Sequence, residues 1–326
     1  MEDDLSIKNP MLLVGIGGVG SKIAAAASAA LECKCLLISN DKRDLAHNNR
    51  CSAIFVHSGE WVNPSSYKLR SFVKSHRNEI EAAMRGYSTI IVVSNLAGRA
   101  GTAIAPIVGR IAKDSNNSAV ISITIMPFKY ETDRIFIAGT ALRRVREVSD
   151  STIVMDNDAF LDNNSELSTQ DCFAITNNAI VEVIASISAG MIKPSMNILC
   201  TSRESPSSES SLRDSLSMLY DSVPDASTVK RAMVYVMGGN RIPIGELNKL
   251  VGCVRGIFKE DDSIEVGMLS SMSSSNGVRV HLVASAPQKT RFDSYDPLGE
   301  IIPDALDWDE PDSSPDIKLT IPTAIE

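Results

Sequence analysis

Aromatic residues are scarce, at 5% of the 326-residue chain, and bases are outnumbered, with 32 Lys and Arg against 40 Asp and Glu. A formal net charge of −8 argues against affinity built on neutralising phosphate backbones, so no nucleic-acid partner is expected. No apolar run reaches the roughly eighteen residues that a membrane helix needs, and the first ten residues lack the basic-then-apolar order of a signal peptide. The expectation is a cytoplasmic protein without direct membrane insertion. His is rare, with four residues, and the six Cys at 33, 35, 51, 172, 200 and 253 keep no regular spacing. Cys33-Lys34-Cys35 is not a C-x-x-C pair and has no second pair to complete a tetrahedral site. Reduced, buried thiols are expected, and no metal-ligating set.

What is present is ordinary globular material, 44% hydrophobic and 22% charged, in a chain long enough for two domains. The charge is uneven. Residues 288–326 hold ten acids against three bases, so seven of the eight net negative charges sit there and the body is close to neutral. With five Pro as well, this segment has too little apolar surface to offset chain entropy and reads as a disordered acidic tail.

Short apolar runs recur at Met11–Ile16, Cys35–Ser39, Ala53–His57, Thr89–Ser94, Ala119–Ile125 and Thr152–Met155. Segments with helical spacing lie between most of them: Ser21–Leu31, Tyr67–Met84, Ile104–Lys113 and Phe136–Val148. Strands apolar on both faces and alternating with helices predict an α/β, Rossmann-like parallel sheet, with ligands at the carboxyl ends of the strands. Gln170–Met191 reads as one long helix, ending at Gly190 before Pro194. Ser202–Ser217, with eight Ser in sixteen residues, reads as a surface loop and polar helix start. Strand patterns at Ala232–Met237, Ser263–Met268 and Val278–Ala284, around the amphipathic Glu246–Phe258, predict a smaller α+β unit. The expected organisation is a nucleotide-binding domain at 10–169, a central helix at 170–191, a Ser-rich connection at 192–230, a C-terminal α+β domain at 231–287 and the tail at 288–326.

Gly15-Ile16-Gly17-Gly18-Val19-Gly20 follows the first strand and opens a helix. Glycines there let a phosphate approach the backbone, and the helix N-terminus supplies free N–H groups and partial positive charge. This also fits the G-x-G-x-x-G rule for dinucleotides, with Asp41 near the place of a ribose-binding acid. A second small-residue loop, Asn95-Leu96-Ala97-Gly98-Arg99-Ala100-Gly101-Thr102-Ala103, follows the fourth strand. Two phosphate-cradling loops in one sheet exceed what a dinucleotide domain needs.

Together these residues resemble the FtsZ/tubulin family of GTP-dependent filament proteins, closer to its prokaryotic and archaeal FtsZ branch. Gly15–Gly20 corresponds to the family's first glycine loop, and Ser39-Asn40-Asp41-Lys42 to its Asn-Thr-Asp-Ala element. Its G-G-G-T-G-T-G loop falls on Ala97–Ala103, where Gly98, Gly101 and Thr102 match. Pro127-Phe128-Lys129-Tyr130-Glu131 with Arg134 matches Pro-Phe-x-Phe-Glu, Asp156-Asn157-Asp158 matches Pro-Asn-Asp, and Phe173, Asn177 and Asn178 match the central helix. The resemblance covers about 10–286. It implies that Gly17, Gly18, Gly20, Gly98, Gly101 and Thr102 bind GTP or GDP phosphates through backbone N–H groups, with Asn40 and Asp41 beside them. Glu131 and Arg134 would hold the ribose, Phe173 would stack on the base and Asn178 would bond its edge. Alternatives stand beside these roles: Phe173 as core, Asn177 and Asn178 as helix polar residues bonded to backbone, Asp156 and Asp158 as caps of a turn.

Three departures bear on mechanism. The family's catalytic Asn-x-Asp-x-x-Asp loop falls on Asn197–Ser202, where Leu199 and Ser202 take the acidic positions; neither can act as a base near neutral pH. No catalytic residue is therefore assigned. The loop that senses γ-phosphate falls on Ser58-Gly59-Glu60-Trp61-Val62-Asn63-Pro64, with one Gly and a bulky Trp. Arg99 and Ala97 replace glycines; Arg99 is either a cation standing in for Mg²⁺ charge or a solvated loop residue, and Lys22 raises the same question. The expected function is a guanine-nucleotide-binding, head-to-tail cytoskeletal subunit in cell division or organisation, with weak or absent hydrolysis, Mg²⁺ as an optional companion and a protein partner for the tail. A nucleotide-independent interaction module on the same fold and an NAD(P)-binding oxidoreductase are the alternatives.

Overall fold

The computed structural model describes residues 5–46, 51–59, 64–116, 118–158, 166–188, 191–192, 196–223, 225, 228–229, 231–238, 242–258, 264–270, 277–286 and 290–297. A two-residue strand, β1 (Leu5–Ser6), pairs antiparallel with β8 (Met191–Ile192) apart from the main sheet. The apolar runs of the first half form β2 (Met11–Ile16), β3 (Lys34–Ser39), β4 (Cys51–Phe55), β5 (Thr89–Asn95), β6 (Ala119–Met126) and β7 (Ser151–Asp156). They lie side by side in the order β4-β3-β2-β5-β6-β7, all parallel, with β2, β5 and β6 rich in Val, Ile and Leu and buried on both faces and β4 a partly exposed edge. After β2 the chain moves outward through β3 and β4, then returns to place β5 on the other side of β2. Strand order reverses between β2 and β5, and the crevice outside their carboxyl ends is where such sheets take ligands.

Helices cover both faces. The Ala-rich α1 (Gly17–Leu31) and the central α6 (Thr169–Ile187) pack with Leu13, Ile91 and Ile123 on one face. On the other, α2 (Ser66–Ser75), α3 (Arg77–Met84) and α4 (Arg99–Asn116) enclose Leu12, Val14, Ile38 and Val92. α5 (Thr132–Glu147) adds a further cluster with Met126 and Val154. The single helix expected over 67–84 is two, divided at His76. Among the described residues no helix is long and apolar enough to cross a membrane.

Described strands of the second half continue the main sheet. β9 (Ile198–Thr201) joins β7 in parallel through Val154–Ile198 and Met155–Leu199. β12 (Arg279–Ser285) pairs antiparallel with β9, β10 (Arg231–Gly238) antiparallel with β12, and β11 (Ile264–Ser270) parallel with β10, giving ten strands in one sheet. Leu199, Val234 and Val283 share a buried cluster with Leu13 and Ile180, so β9, β10 and β12 pack into the same cluster as the first half.

Two segments differ from their composition. The Ser-rich stretch, expected on the surface, forms much of α7 (Ser208–Ser222), whose Ser208, Ser211, Ser215 and Ser222 are buried. Ser211 and Ser215 hydroxyls donate to the Val278 and Val280 carbonyls at 2.8 and 2.6 Å, so small polar side chains seat the helix on β12 while satisfying their own polarity. The start of the expected disordered tail is ordered as well: residues 291–295 form a 3-10 turn with Thr290 and Asp293 as its capping box, and Phe292 is buried. Residues 298–326 lie outside the described residues.

The central helix is tied to the second half by an ion-pair network. Glu182 of α6 accepts from Arg279 Nε at 3.2 Å and also meets Arg279 Nη2. Its Oε2 meets Nε2 of the fully buried His281 at 2.7 Å, and His281 Nδ1 contacts Thr201 Oγ1 at 2.7 Å. Burial alone would push the Glu182 carboxyl up, but His281 and Arg279 outweigh it and hold the carboxyl below its ordinary range. A depressed folded value means the pairing stabilises above the unfolded Glu value of about 4.3 and is lost as pH falls through the folded value. Glu182→Gln should therefore lower stability in urea at pH 7 by about 2 kcal/mol, because it removes the carboxylate that Arg279 and His281 share, while Arg279 keeps Glu204 at 3.2 Å. The difference should shrink in urea titrations below pH 4; a gap independent of pH would exclude the ion pair as its cause.

Candidate functional site

The crevice at the strand-order reversal is built by two helix starts. α1 begins at Gly17, directly after Ile16 in extended backbone (φ −114°), and no side chain caps it. Its first N–H groups have no partner within the helix. Gly17 itself has φ +66°, a left-handed conformation that glycine adopts without penalty. A Cβ on Gly20 would lie 2.3 Å from the Val93 carbonyl oxygen, so only glycine lets α1 approach β5 this closely. α4 repeats the arrangement: a Cβ on Gly101 would lie 2.0 Å from the Asn95 carbonyl oxygen. A Cβ on Gly17 would lie 3.0 Å from Ala100 Cβ and 4.0 Å from Gly101 N. The positive ends of two helices thus converge where the sheet changes direction, the electrostatic requirement for a polyphosphate.

Side chains lock both loops from behind. Asn95 Oδ1 accepts from the Ala97 N–H at 2.9 Å, and the Gly98 N–H reaches the Asn95 carbonyl at 3.1 Å. Thr102 is buried, with its hydroxyl donating to the Arg99 carbonyl and paired with Ser66 Oγ of α2, both at 3.0 Å. Its backbone N–H reaches the Gly98 carbonyl at 3.1 Å. Arg99 is exposed at the first position of α4, and Lys22 is exposed on α1. After β3, half-buried Asn40 precedes Asp41, which accepts from the Arg43 N–H at 2.9 Å and pairs with the Arg43 guanidinium at 2.6 Å. Those hydrogen bonds hold the Asp41 carboxyl below its usual range. Asp44 Oδ2 accepts from Ser39 Oγ at 2.7 Å, and its Oδ1 stands 2.7 Å from where a Gly18 Cβ would be.

An aromatic platform stands at the ends of β6 and α6. Phe128 stacks on Tyr130 at 5.3 Å and meets Phe173 edge-on at 5.4 Å. Tyr130 and Phe173 are 66% and 37% exposed, open to a planar ligand. Glu131 accepts from the Phe128 N–H at 3.1 Å and from Arg134 at 2.7 Å, so the two residues matched to ribose binding hold each other. Asn177, one helical turn after Phe173, shares its face, and its Oδ1 is buried without a hydrogen-bond partner. Asn178 is exposed, about 100° further round the helix. The i to i+4 spacing is the sequence signal that singles out Asn177. Asp156 and Asp158 tie their turn to its surroundings: Asp156 Oδ1 accepts from the Asp158 N–H at 2.9 Å, and Asp158 Oδ2 reaches across to the Lys129 N–H at 3.0 Å. Among the described residues no three His, Cys, Asp or Glu gather as a metal site.

The family model described as Tubulin/FtsZ family, GTPase domain, matches residues 10–165. Residues 10–165 are a divergent FtsZ/tubulin-family domain. Cell division protein FtsZ 2 of Methanocaldococcus jannaschii is 29% identical over 127 residues, 39% of this chain and 33% of that protein. The chain spans between a third and a half of the length of the curated relatives it matches here and in Neisseria gonorrhoeae. Among solved structures, an empty FtsZ dimer of M. jannaschii superposes with a TM-score of 0.71 at 20% identity, over 86% of this chain and 89% of that one. A GTPγS-bound protofilament of CetZ2 from Haloferax volcanii gives 0.63 at 20% identity, over 89% and 97%. These likenesses extend the fold beyond residue 165.

The described positions matched to the acids of the family's catalytic loop are Leu199 and Ser202. Leu199 is fully buried on β9, paired with Met155 on one side and Val283 on the other. Ser202 is equally buried, its Oγ accepting from the Val280 N–H at 2.9 Å. Trp61 and Asn63 of the loop matched to γ-phosphate sensing, and Lys193 and Pro194, lie outside the described residues. Placing an acid at the matched position therefore puts a charge inside the sheet: Leu199→Asp should destabilise the protein by about 3 kcal/mol or more. It should also give no gain in phosphate release from GTP. Normal stability in urea together with faster release would show that this strand can open to a neighbouring subunit.

Proposed function

We propose that the chain binds a guanine nucleotide at the junction of α1 and α4, hydrolyses it very slowly or not at all, and serves as a head-to-tail filament or scaffold subunit in cell division or organisation. The observation that carries this reading is the convergence of two glycine-rich helix starts at the strand-order reversal, with an exposed aromatic platform and the unpartnered Asn177 Oδ1 nearby. Backbone N–H groups of Gly17, Gly18, Gly20 and Gly101 would bond the phosphates, with Gly98, whose N–H bonds the Asn95 carbonyl, shaping the second loop, while Phe173 would take the base face and Asn177, in preference to Asn178, its edge. Any Mg²⁺ would arrive with the phosphates and keep several waters. Leu199 and Ser202 support slow turnover, since neither can orient or deprotonate water. A head-to-tail contact is heterologous and leaves open ends, consistent with the protofilament of the H. volcanii relative.

A second reading, an interaction module independent of nucleotide, is favoured by one feature. The Asp44 carboxylate against Gly18 brings negative charge to the loop where phosphate would bind. The NAD(P) reading loses its acid, because Asp41 is occupied by Arg43 and caps its own turn.

Calorimetric titration with GDP, GTP and ATP separates these. The guanine reading predicts saturable GDP binding with a dissociation constant of about 10 μM or tighter, and ATP at least about a hundredfold weaker. Absent binding, or equal binding of ATP, would favour the module. Phosphate release above about one per subunit per minute would overturn the slow-hydrolysis half of the proposal.

A further inference from the structure

Residues 290–297 cross the back of the candidate site. Phe292 is 1% exposed and packs in one cluster with Leu96 of the second glycine loop, Met126 at the end of β6, Val154 of β7, and Ala138 and Leu142 of α5. Arg291 meets the buried Asp156 carboxylate, the same group whose other oxygen holds the Asp158 N–H. Asp158 in turn holds the Lys129 N–H next to the Phe128 ring. Two further ion pairs fasten the strap to α5: Asp293 meets Arg146, and Asp296 lies 3.4 Å from Arg143. Gly139 leaves the space for it, since a Cβ there would lie 2.6 Å from the Tyr295 carbonyl carbon. Phe292 therefore supports the loop that positions α4, and Arg291 supports the turn that positions the aromatic platform. Both halves of the site rest on one short segment, more than a hundred residues away in the chain.

We propose that the 290–297 strap is a positioning element of the guanine-nucleotide site, with Phe292 and Arg291 as positioning residues, so that nucleotide binding and strap docking are coupled. The inference rests on the guanine-nucleotide reading above. Coupling is reciprocal: a ligand that needs both loops in place must tighten the strap, and a loosened strap must weaken the ligand.

The test uses the full-length chain. Hydrogen exchange of amides 290–297 is measured with and without saturating GDP, and affinity for N-methylanthraniloyl-GDP is measured for Phe292→Ala, Arg291→Gln and Arg291→Lys. GDP should slow exchange across the strap by about fivefold or more, and Phe292→Ala should weaken binding about tenfold at unchanged far-UV circular dichroism. Arg291→Gln should weaken binding, whereas Arg291→Lys, which keeps the charge facing Asp156, should restore most of it. Unchanged strap exchange under saturating GDP overturns the inference, as does a folded Phe292→Ala variant that binds within about twofold of wild type. If Phe292→Ala fails to fold, exchange in the unmodified protein decides alone. GDP binding without strap protection sinks only the coupling; no GDP binding by the unmodified protein sinks the nucleotide reading and the coupling together.

Discussion

The contact of two helix starts with strand-end carbonyls sets the rest of this structure. Gly20 lies against Val93 and Gly101 against Asn95, with no space for a side chain at either point. Because α1 and α4 are drawn onto the sheet there, their N-termini meet between β2 and β5, the one place where the parallel order reverses. A helix that stood off by the width of a methyl group would no longer bring its free N–H groups to the common crevice. The glycines serve packing first, and the nearness of the two helix starts follows from it.

The second constraint is continuity of the sheet. Joining β9 to β7 takes the segment matched to the family's acidic loop into the interior, where Leu199 completes the core. The same strand supplies cohesion: β9 links the parallel sheet to the strands that follow, α7 seats on β12 through serine hydroxyls, and Glu182 binds the central helix to His281 and Arg279. The described body therefore behaves as one packed unit in which the central helix is held by both halves.

Much of this was legible in the sequence, for reasons that can be named. β2, β5 and β6 are long apolar runs bounded by turn residues, and their periodicity and burial agree. The glycine loops declared themselves by position after a strand. α1 begins at Gly17, four residues before the expected Ser21, because glycines of low helix propensity are carried by tertiary packing. β9 has four residues, too few for periodicity to register. The serines of α7 look like surface in composition, yet their hydroxyls find strand carbonyls. The strap was hidden by its neighbours: ten acids in 288–326 mask one buried Phe and one partly buried Arg. At the candidate site, Asn177 and Asn178 are adjacent in the chain but about 100° apart on the helix, and only the former turns a buried amide oxygen toward Phe173's face.

The most direct measurement is the response of individual backbone amides to GDP in ¹⁵N-labelled protein, followed by transverse-relaxation-optimised NMR. If the two helix starts jointly receive the phosphates, the largest shifts fall on Gly17, Gly18 and Gly20 and, at the same ligand concentrations, on Gly98, Ala100 and Gly101. Shifts confined to one loop, clustered elsewhere, or absent at saturating GDP would contradict a site formed by both.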